Sequence, residues 1–389
     1  MATSKWLRRQ KPSRRVLLAL TPCLAGGVYF FGWRSLAMVV VACAVGYLCE
    51  WLFCRRRNEA VSEAVFVTGT LFALILPPTV GWHIVVIGMA VAIGLAKEVF
   101  GGFGRNIFNP AIAGRAFVYV SFAAAMTATW APNVYDLPDT PWYGALDRWS
   151  TGRITAEEAA ALKAANRREE ARAAWLDPRW RIREGDDTFH AYTGATPLGE
   201  TKGKQETINQ FRAAGEPPEK VARAIEIVQE DRLSLWGLLL GTTAGTMGVT
   251  SAVLILVGGA YLYWTRTASR TIILSVIISC AVVSHLFHML GIRPAGDALR
   301  TVLSGGFLLG AFFMATDPIS SPKTEPGRIV YGTIIGSLRV IIQNFSAFNG
   351  GLMFAILIGN MFAPSLDAAV KAYKARQAAR AAGAAEEAA

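Results

Sequence analysis

The chain has 389 residues, of which 53% are hydrophobic and only 17% are charged. Soluble domains carry roughly 25% charged residues, so the composition excludes a string of soluble domains and predicts a membrane protein with several crossings. The formal net charge of +11 indicates membrane topology and not a nucleic-acid surface, because the cytoplasmic loops of membrane proteins hold an excess of Lys and Arg.

Ten apolar runs occur along the chain, five before and five after a polar stretch at residues 128–232. They lie at residues 16–33, 36–53, 64–77, 83–100, 111–127, 233–264, 271–290, 301–316, 329–342 and 350–365. The first run continues almost directly into the second, which is unlike a cleaved signal peptide. We predict an all-α polytopic membrane protein with about ten transmembrane helices in two five-helix repeats. The repeats occupy residues 1–127 and 233–366, separated by an outer loop at 128–232 and followed by a tail at 367–389.

The basic residues predict the orientation. Six of them precede the first run, and Arg55, Arg56 and Arg57 end the second. Basic clusters on both sides of a helix pair place both ends in the cytoplasm. The polar stretch carries 15 basic and 18 acidic residues, so a charge of +14 lies on the rest of the chain. Both termini are therefore expected inside and the polar stretch outside. The exceptions, which fall in turns assigned to the outside, are Arg34, Arg293 and Arg300.

Several apolar segments are interrupted by residues that break helices. Prolines end two runs, at residues 76–78 and 317–318, and the segment 101–110 is rich in Gly and Asn. The sequence Asn-Ile-Phe-Asn-Pro at 106–110 is echoed by Asn-Met-Phe-Ala-Pro at 360–364. Paired interruptions in two repeats indicate a binding site between the repeats. They predict broken or re-entrant segments with a ligand or permeation role, whereas a single proline on its own is better explained by a structural kink.

Four acidic residues lie within or at the edge of apolar runs, where acids are costly and usually functional. Glu50 has Arg55 nearby, and Glu98 follows Lys97 in sequence, so both can be neutralised locally. The better cation candidates are Asp317 and Asp367, which flank the interrupted segments, although Asp317 can also cap a turn before Pro318.

Two other groups of residues carry weaker signals. The five cysteines show no metal-type spacing and are interpreted as packing residues. They are Cys23, Cys43, Cys49, Cys54 and Cys280. His285 and His288 share one predicted helix, where packing is favoured over a haem or metal site. In the polar stretch, helices are expected at 155–174 and 218–230, and the segment from Thr193 to Pro197 is typical of an exposed turn.

The membrane segments resemble the B-type membrane subunit of the sodium-translocating NADH:quinone oxidoreductase, with the D-type subunit of the Rnf complex as a close cousin. The resemblance is carried by the segments 66–78, 96–117, 313–318 and 354–364. The sequence Lys-Glu-Val-Phe-Gly-Gly at 97–102 is closer to the quinone-reductase protein. The sequence Thr-Gly-Ala-Thr-Pro-Leu at 193–198 is slightly closer to its cousin.

The resemblance implies two flavins. FMN is expected on Thr196 through a phosphoester made by a flavin transferase, and the recognition context is Thr193, Gly194 and Ala195. The family usually has Asp three residues before this motif, where this chain has His190. A non-covalent riboflavin is expected in the membrane part, at the positions that match the family's site: Thr68, Asn106 and Asn109.

The resemblance also implies an activity and partners. The chain is expected to act in the bacterial inner membrane with five other subunits, passing electrons from NADH through FMN and riboflavin to a quinone while Na⁺ is exported. Glu50, Asp317 and Asp367 match family acids linked to the Na⁺ path. Membrane lipid is a further partner and nucleic acid is not. Two alternatives stay open: an Rnf-type protein with ferredoxin and NAD⁺ as its distant redox partners, and a small-solute channel or transporter.

Overall fold

The computed structural model describes residues 7–127, 143–146, 149, 217–219, 235–241, 245–290, 298–304, 306–346 and 350–387. The helix predicted at 155–174 and nearly all of that predicted at 218–230 lie outside these residues, as does the whole Thr193 to Thr196 motif. The described chain is mostly helical, as the sequence predicts. Two short parallel strands, β1 (Leu7–Arg8) and β2 (Val61–Ser62), pair Leu7 with Val61 and Arg8 with Ser62.

The first half contains six described helices. They are α1 (Lys11–Phe31), α2 (Arg34–Arg57), α3 (Ala64–Leu74), α4 (Trp82–Ile93), α5 (Pro110–Ser121) and α6 (Ala123–Thr127). A π-helical turn at Gly94–Glu98 extends α4. The helix α5 begins with Pro110, whose missing N–H costs nothing at the first helical position. The side chain of Asn109 caps α5 by accepting hydrogen bonds from the N–H groups of Ala111 and Ile112.

The second half contains the remaining described helices. They are α7 (Leu235–Leu240), α8 (Ala252–Trp264), α9 (Arg270–Met289), α10 (Ala298–Leu303), α11 (Phe307–Leu309), α12 (Glu325–Phe345) and α13 (Gly351–Glu387). A π-helical turn at Gly310–Met314 follows α11. The predicted run at 233–264 is thus two helices, α7 and α8, with a break between them.

Four described helices are long and apolar enough to cross a membrane: Lys11–Phe31, Arg34–Arg57, Arg270–Met289 and Gly351–Ala381. Two shorter apolar helices are Ala64–Leu74 and Ala252–Trp264. This is the architecture of a multi-pass membrane protein. The number of ten crossings and the two five-helix repeats remain predictions.

The α9–α12 contact depends on small residues. Gly332 and Gly336 are one turn apart on α12 and lie against Ser275 and Ser279 of α9. A Cβ atom on Gly336 would come within 2.5 Å of the carbonyl oxygen of Val276 and 2.8 Å of the nitrogen of Cys280. Helices in membranes associate closely where small residues let their backbones approach, so these glycines set the α9–α12 distance.

The interruption predicted at 76–78 is confirmed, and other parts of the chain satisfy its backbone. Helix α3 ends at Leu74, whose carbonyl oxygen accepts the N–H of Gly248 at 2.8 Å. The guanidinium of Arg34 donates to the carbonyl oxygens of Pro78 and Val80, each at 2.7 Å. Irregular backbone at membrane depth requires such partners. Arg34 is 7% exposed, and this structural task accounts for a basic residue in a turn assigned to the outside.

The interruption predicted at residues 360–364 is wrong. Helix α13 continues from Gly351 to Glu387 with Pro364 inside it. Pro364 is exposed, and the helix continues past it with one hydrogen bond fewer. The boundary predicted between the second repeat and the tail, at 366/367, lies inside this helix, and the division itself stays a prediction. The break at 101–110, by contrast, is confirmed, with positive φ at Gly101, Gly102 and Gly104.

Candidate functional site

A cavity of about 330 Å³ lies where the two halves of the chain meet. Pockets for small molecules and cofactors usually measure about 300–1,000 Å³. Its wall is mainly apolar, with a few polar groups. The lining residues are Gln10, Pro12, Ser13, Val16, Ala64, Val67, Thr68, Leu71, Lys97, Phe103, Asn106, Asn109, Pro110, Leu262, Thr267, Ala268, Phe313, Thr316, Asp317, Pro318 and Ile319. All three predicted riboflavin residues and one predicted cation ligand therefore share one cavity.

Asn109 joins the start of α5 to the second half of the chain at the edge of this cavity. Its side-chain oxygen accepts two N–H groups at the start of α5, and its Nδ2 donates to the carbonyl oxygen of Met314 at 3.2 Å. Its backbone N–H donates to Oδ1 of Asn360 at 3.1 Å. An amide has two acceptor lone pairs and two donor hydrogens, so Asn109 keeps a single N–H for a ligand.

Asn106 and Thr68 have more capacity for a ligand. The Asn106 amide donates to the carbonyl oxygen of Phe108 at 3.0 Å, which leaves a second N–H and the acceptor oxygen. The Thr68 hydroxyl donates to the carbonyl oxygen of Ala64 at 3.1 Å and retains its lone pairs as acceptors. Both side chains are buried, with exposures of 5% for Asn106 and 8% for Thr68. The hydrogen-bonding groups that Asn106 and Thr68 retain could therefore pair with a planar ring that carries both carbonyl and N–H groups.

Asp317 follows the π-helical turn of the second half by three residues and lines the cavity from that half. Its Oδ2 accepts the Ser320 hydroxyl at 2.8 Å, and its Oδ1 accepts the N–H of Ile319 at 3.3 Å. The carboxylate therefore caps the turn after Pro318. Each oxygen still has lone pairs free, so capping and binding a cation are compatible.

Two ion pairs of the first half differ from those predicted, and one of them includes the cavity residue Lys97. The Nζ of Lys97 contacts Oε2 of Glu50 at 2.6 Å, with exposures of 2% and 1%. Glu98 pairs with Arg57. The expected local neutralisation of Glu50 by Arg55 and of Glu98 by Lys97 is wrong, because the π-helical turn directs Lys97 towards α2. Glu50 also accepts the N–H of Ser62 at 2.9 Å.

Lys97 is the residue that the sequence reasoning missed. It lines the cavity, and its ammonium lies 5.8 Å from the ring centroid of Phe103. A lysine inside an apolar run is a signal of function in its own right, and the sequence interpretation used it only as a neighbour of Glu98. Glu50 contacts the cavity wall through this lysine, and through Ser62 it is linked to Gln10, a second lining residue.

The N-terminal segment closes one side of the cavity and is held by Glu63. The carboxylate of Glu63 accepts hydrogen bonds from Arg14, of which the shortest is 2.8 Å. It also accepts the backbone N–H of Gln10 at 2.5 Å. The Arg14 guanidinium holds the pKa of Glu63, in the turn between α2 and α3, below its usual range. This contact fixes Gln10 and Ser13 at the cavity.

Asp367 is not among the cavity residues. Its carboxylate accepts the N–H groups of Lys323 and Thr324, at 2.8 and 2.9 Å, and the Thr324 hydroxyl at 2.6 Å. These groups precede α12, so Asp367 ties the start of α12 to α13. The predicted cation residues therefore occupy three separate places: Asp317 in the cavity, Glu50 against the lining residue Lys97, and Asp367 at the beginning of α12.

The remaining predicted residues are the flavin motif at 193–196, the five cysteines and the two histidines of α9. Thr193, Gly194, Ala195 and Thr196 lie outside the described residues. The thiols of Cys23, Cys54 and Cys280 are buried and those of Cys43 and Cys49 partly buried, and all five are free, as expected of packing residues. The histidines at 285 and 288 are both exposed on α9 and are not core packing residues.

Comparison with known proteins agrees with the sequence resemblance. The D-type subunit of the ion-translocating oxidoreductase complex of Stutzerimonas stutzeri is 30% identical over 357 residues, covering 90% of this chain and 88% of that protein. The B-type subunit of the Na(+)-translocating NADH-quinone reductase of Chromohalobacter salexigens is 32% identical over 347 residues. That match covers 88% of this chain and 65% of the relative, so this chain spans just under two thirds of the quinone-reductase protein. The family model described as NQR2, RnfD, RnfE matches residues 5–376, and the chain therefore belongs to the NQR2, RnfD, RnfE family.

Proposed function

We propose that this chain is the flavin-carrying membrane subunit of a Na⁺-translocating NADH:quinone oxidoreductase of the bacterial inner membrane. The observation that carries the proposal is the cavity, because Thr68, Asn106, Asn109 and Asp317 come from both halves of the chain and line one space. The family relationship supplies the wider context of an ion-translocating oxidoreductase complex with further subunits.

The cavity fits a flavin by the chemistry of its wall. Asn106 offers both a donor and an acceptor, and Thr68 offers an acceptor. Lys97 contributes a charged donor, and apolar side chains such as Leu71 and Phe313 face the same space. A flavin bound there would supply one-electron chemistry that no amino-acid side chain in the cavity offers. The work of the chain is to orient the ring, exclude water and hold charge near it.

A second flavin is proposed on the outer polar stretch. The proposal rests on the motif Thr193 to Thr196, with FMN joined through its phosphate to the hydroxyl of Thr196. The orientation that goes with it has both termini in the cytoplasm and residues 128–232 outside, as the basic clusters predict.

In-gel fluorescence tests the covalent flavin. The purified chain is separated on a denaturing gel and viewed under ultraviolet light. We expect a fluorescent band that disappears in Thr196→Ala and persists in Thr201→Ala, a matched control outside the motif. A dark wild-type band would refute the flavin proposal and favour a small-solute channel or transporter.

The non-covalent flavin is tested on the native protein. Acid extraction of the purified complex should release flavin beyond the covalent fraction, and Asn106→Leu should reduce that released amount. Met361→Leu, at an exposed position of α13, serves as the control. Equal release from wild type and Asn106→Leu would remove this cavity as the flavin site.

The Na⁺ path has its own test. Asp317→Asn should raise the Na⁺ concentration needed for half-maximal turnover, because a neutral amide replaces a carboxylate with free lone pairs. Asp367→Asn tests the second acid in the same assay. An unchanged Na⁺ requirement in either variant would remove that residue as a ligand.

The Rnf-type function is the second candidate, since the relative from Stutzerimonas stutzeri matches over a larger share of its own length. The two complexes differ in their distant reactions. NADH-dependent quinone reduction stimulated by Na⁺ would support our proposal, and ferredoxin-dependent NAD⁺ reduction by the purified complex would refute it in favour of the Rnf type.

A further inference from the structure

Asn360 of α13 holds the two walls of the cavity without lining the cavity itself. The residue is completely buried, with an exposure of 0%. Its Oδ1 accepts the backbone N–H of Asn109 at 3.1 Å. Its Nδ2 donates to the carbonyl oxygen of Ser320 at 3.2 Å and to the hydroxyl oxygen of Tyr331 at 2.7 Å. One side chain thus binds the start of α5 and the turn after Asp317 at the same time.

The contacts form a continuous chain of hydrogen bonds across the protein. The Ser320 hydroxyl donates to Asp317, and the Ser320 carbonyl oxygen accepts from Asn360. Asn360 in turn accepts from Asn109, which donates through its own side chain to Met314. Asn109 and Asp317 belong to different halves, and both line the cavity. Asn360 and the direct Asn109–Met314 hydrogen bond therefore hold these two walls together.

We propose that Asn360 is a positioning residue for the ligand of this cavity. It fixes Asn109 relative to the Asp317 turn, and so helps to set the width of the space in which the ligand lies. The inference rests on the proposed function in one respect: the ligand used to test it is the non-covalent flavin.

An apolar residue at position 360 could not make the hydrogen bonds to Asn109 and Ser320. Removing Asn360 leaves the buried N–H of Asn109 and the buried carbonyl oxygen of Ser320 without their partner. Buried polar groups without partners are costly, so the walls would shift to find new ones. Because α13 is continuous through Asn360, the backbone of the helix holds this side chain firmly between both walls.

The experiment compares two substitutions that remove hydrogen bonds from the same cluster. Asn360→Leu removes both wall contacts and keeps the same number and branching of side-chain heavy atoms. Tyr331→Phe removes only the hydroxyl partner and leaves both wall contacts in place, which makes it the matched control. The full complex is purified, its non-covalent flavin is measured by acid extraction and its absorption spectrum is recorded.

We expect Asn360→Leu to weaken flavin retention about tenfold, the effect of losing roughly one hydrogen bond, and to shift the flavin absorption bands. Tyr331→Phe should keep the wild-type spectrum and retention. If Asn360→Leu does not accumulate, Asn360→Ser provides the same test, since its side chain is too short to reach both walls. Wild-type retention and spectrum in the Asn360 variant would overturn the proposal.

A structural readout separates this inference from the proposed function. In a cryo-electron microscopy structure of the Asn360 variant, we expect the Asp317 turn to be displaced relative to Asn109. Unchanged positions of both walls would overturn the inference even if flavin is present. A wild-type complex without non-covalent flavin would refute the proposed flavin site, and the wall positions alone would then decide the role of Asn360.

Discussion

The buried pair of Lys97 and Glu50 allows a quantitative prediction. Their charged atoms are 2.6 Å apart, and the two side chains are 2% and 1% exposed. At an effective dielectric constant of about 20, this separation corresponds to an attraction of roughly 6 kcal/mol. Much of that attraction offsets the cost of taking both charges out of water. Removing one partner leaves the other charge buried and unpaired, and such losses amount to about 3–5 kcal/mol.

Lys97→Met should therefore destabilise the protein by about 3–5 kcal/mol, while Lys97→Met combined with Glu50→Gln should recover most of the loss. The assay is thermal unfolding of the detergent-purified protein, followed by tryptophan fluorescence, with the apparent Tm ranking the variants. Lys371→Met, at an exposed position of α13, removes a lysine charge without breaking a buried pair and should leave Tm unchanged. A double variant no more stable than Lys97→Met would refute the reasoning, because the loss would then not come from an unpaired carboxylate.

Three further predictions follow from local contacts. Gly336→Leu should lower the free energy of unfolding by about 1–3 kcal/mol, because the larger side chain overpacks the α9–α12 contact. Thr333→Leu, on the exposed face of α12, should leave the apparent Tm in thermal unfolding unchanged. Asp367→Ala should lower the apparent Tm because the start of α12 loses its acceptor, and an unchanged Tm would contradict that role. The pKa of Glu63 is lowered by Arg14, so the contact between them stabilises the N-terminal segment fully at pH values above the usual Glu pKa of about 4.3. This stabilisation is lost as the pH falls through the lowered pKa. Glu63→Gln should mimic the acid state and speed tryptic cleavage at residues 8–9, and wild-type cleavage rates would contradict this.

The sequence was sufficient for the helical membrane architecture and for most of the long helices. Apolar runs and helix boundaries are local properties, so α1, α2 and α9 lie close to their predicted positions. The course of α13 was not predictable in the same way. A proline in an apolar run either ends a helix or only removes one of its hydrogen bonds, and the residues around Pro364 do not distinguish the two outcomes.

The sequence predicted which residues line the candidate site, but it did not predict which side chains pair with each other there. The motifs and the family resemblance identified Thr68, Asn106, Asn109 and Asp317, which the structure gathers around one cavity. Ion-pair partners depend on the direction of side chains, and a π-helical turn changes that direction by adding a residue to one helical turn. The pairing of Lys97 with Glu50 therefore required the structure.

Helix α13 carries two contacts that lie on either side of Pro364. Asn360 and Asp367 are seven residues apart, which is two turns and about 10 Å of rise on one face of the helix. One residue holds the cavity walls and the other holds the start of α12. Pro364 lies between these two residues and removes one hydrogen bond of the helix, so the helix can bend there when its exposed end at residues 371–381 is pushed sideways. We therefore expect contact at that end to act on Asp367 and the start of α12 before it reaches Asn360 and the cavity.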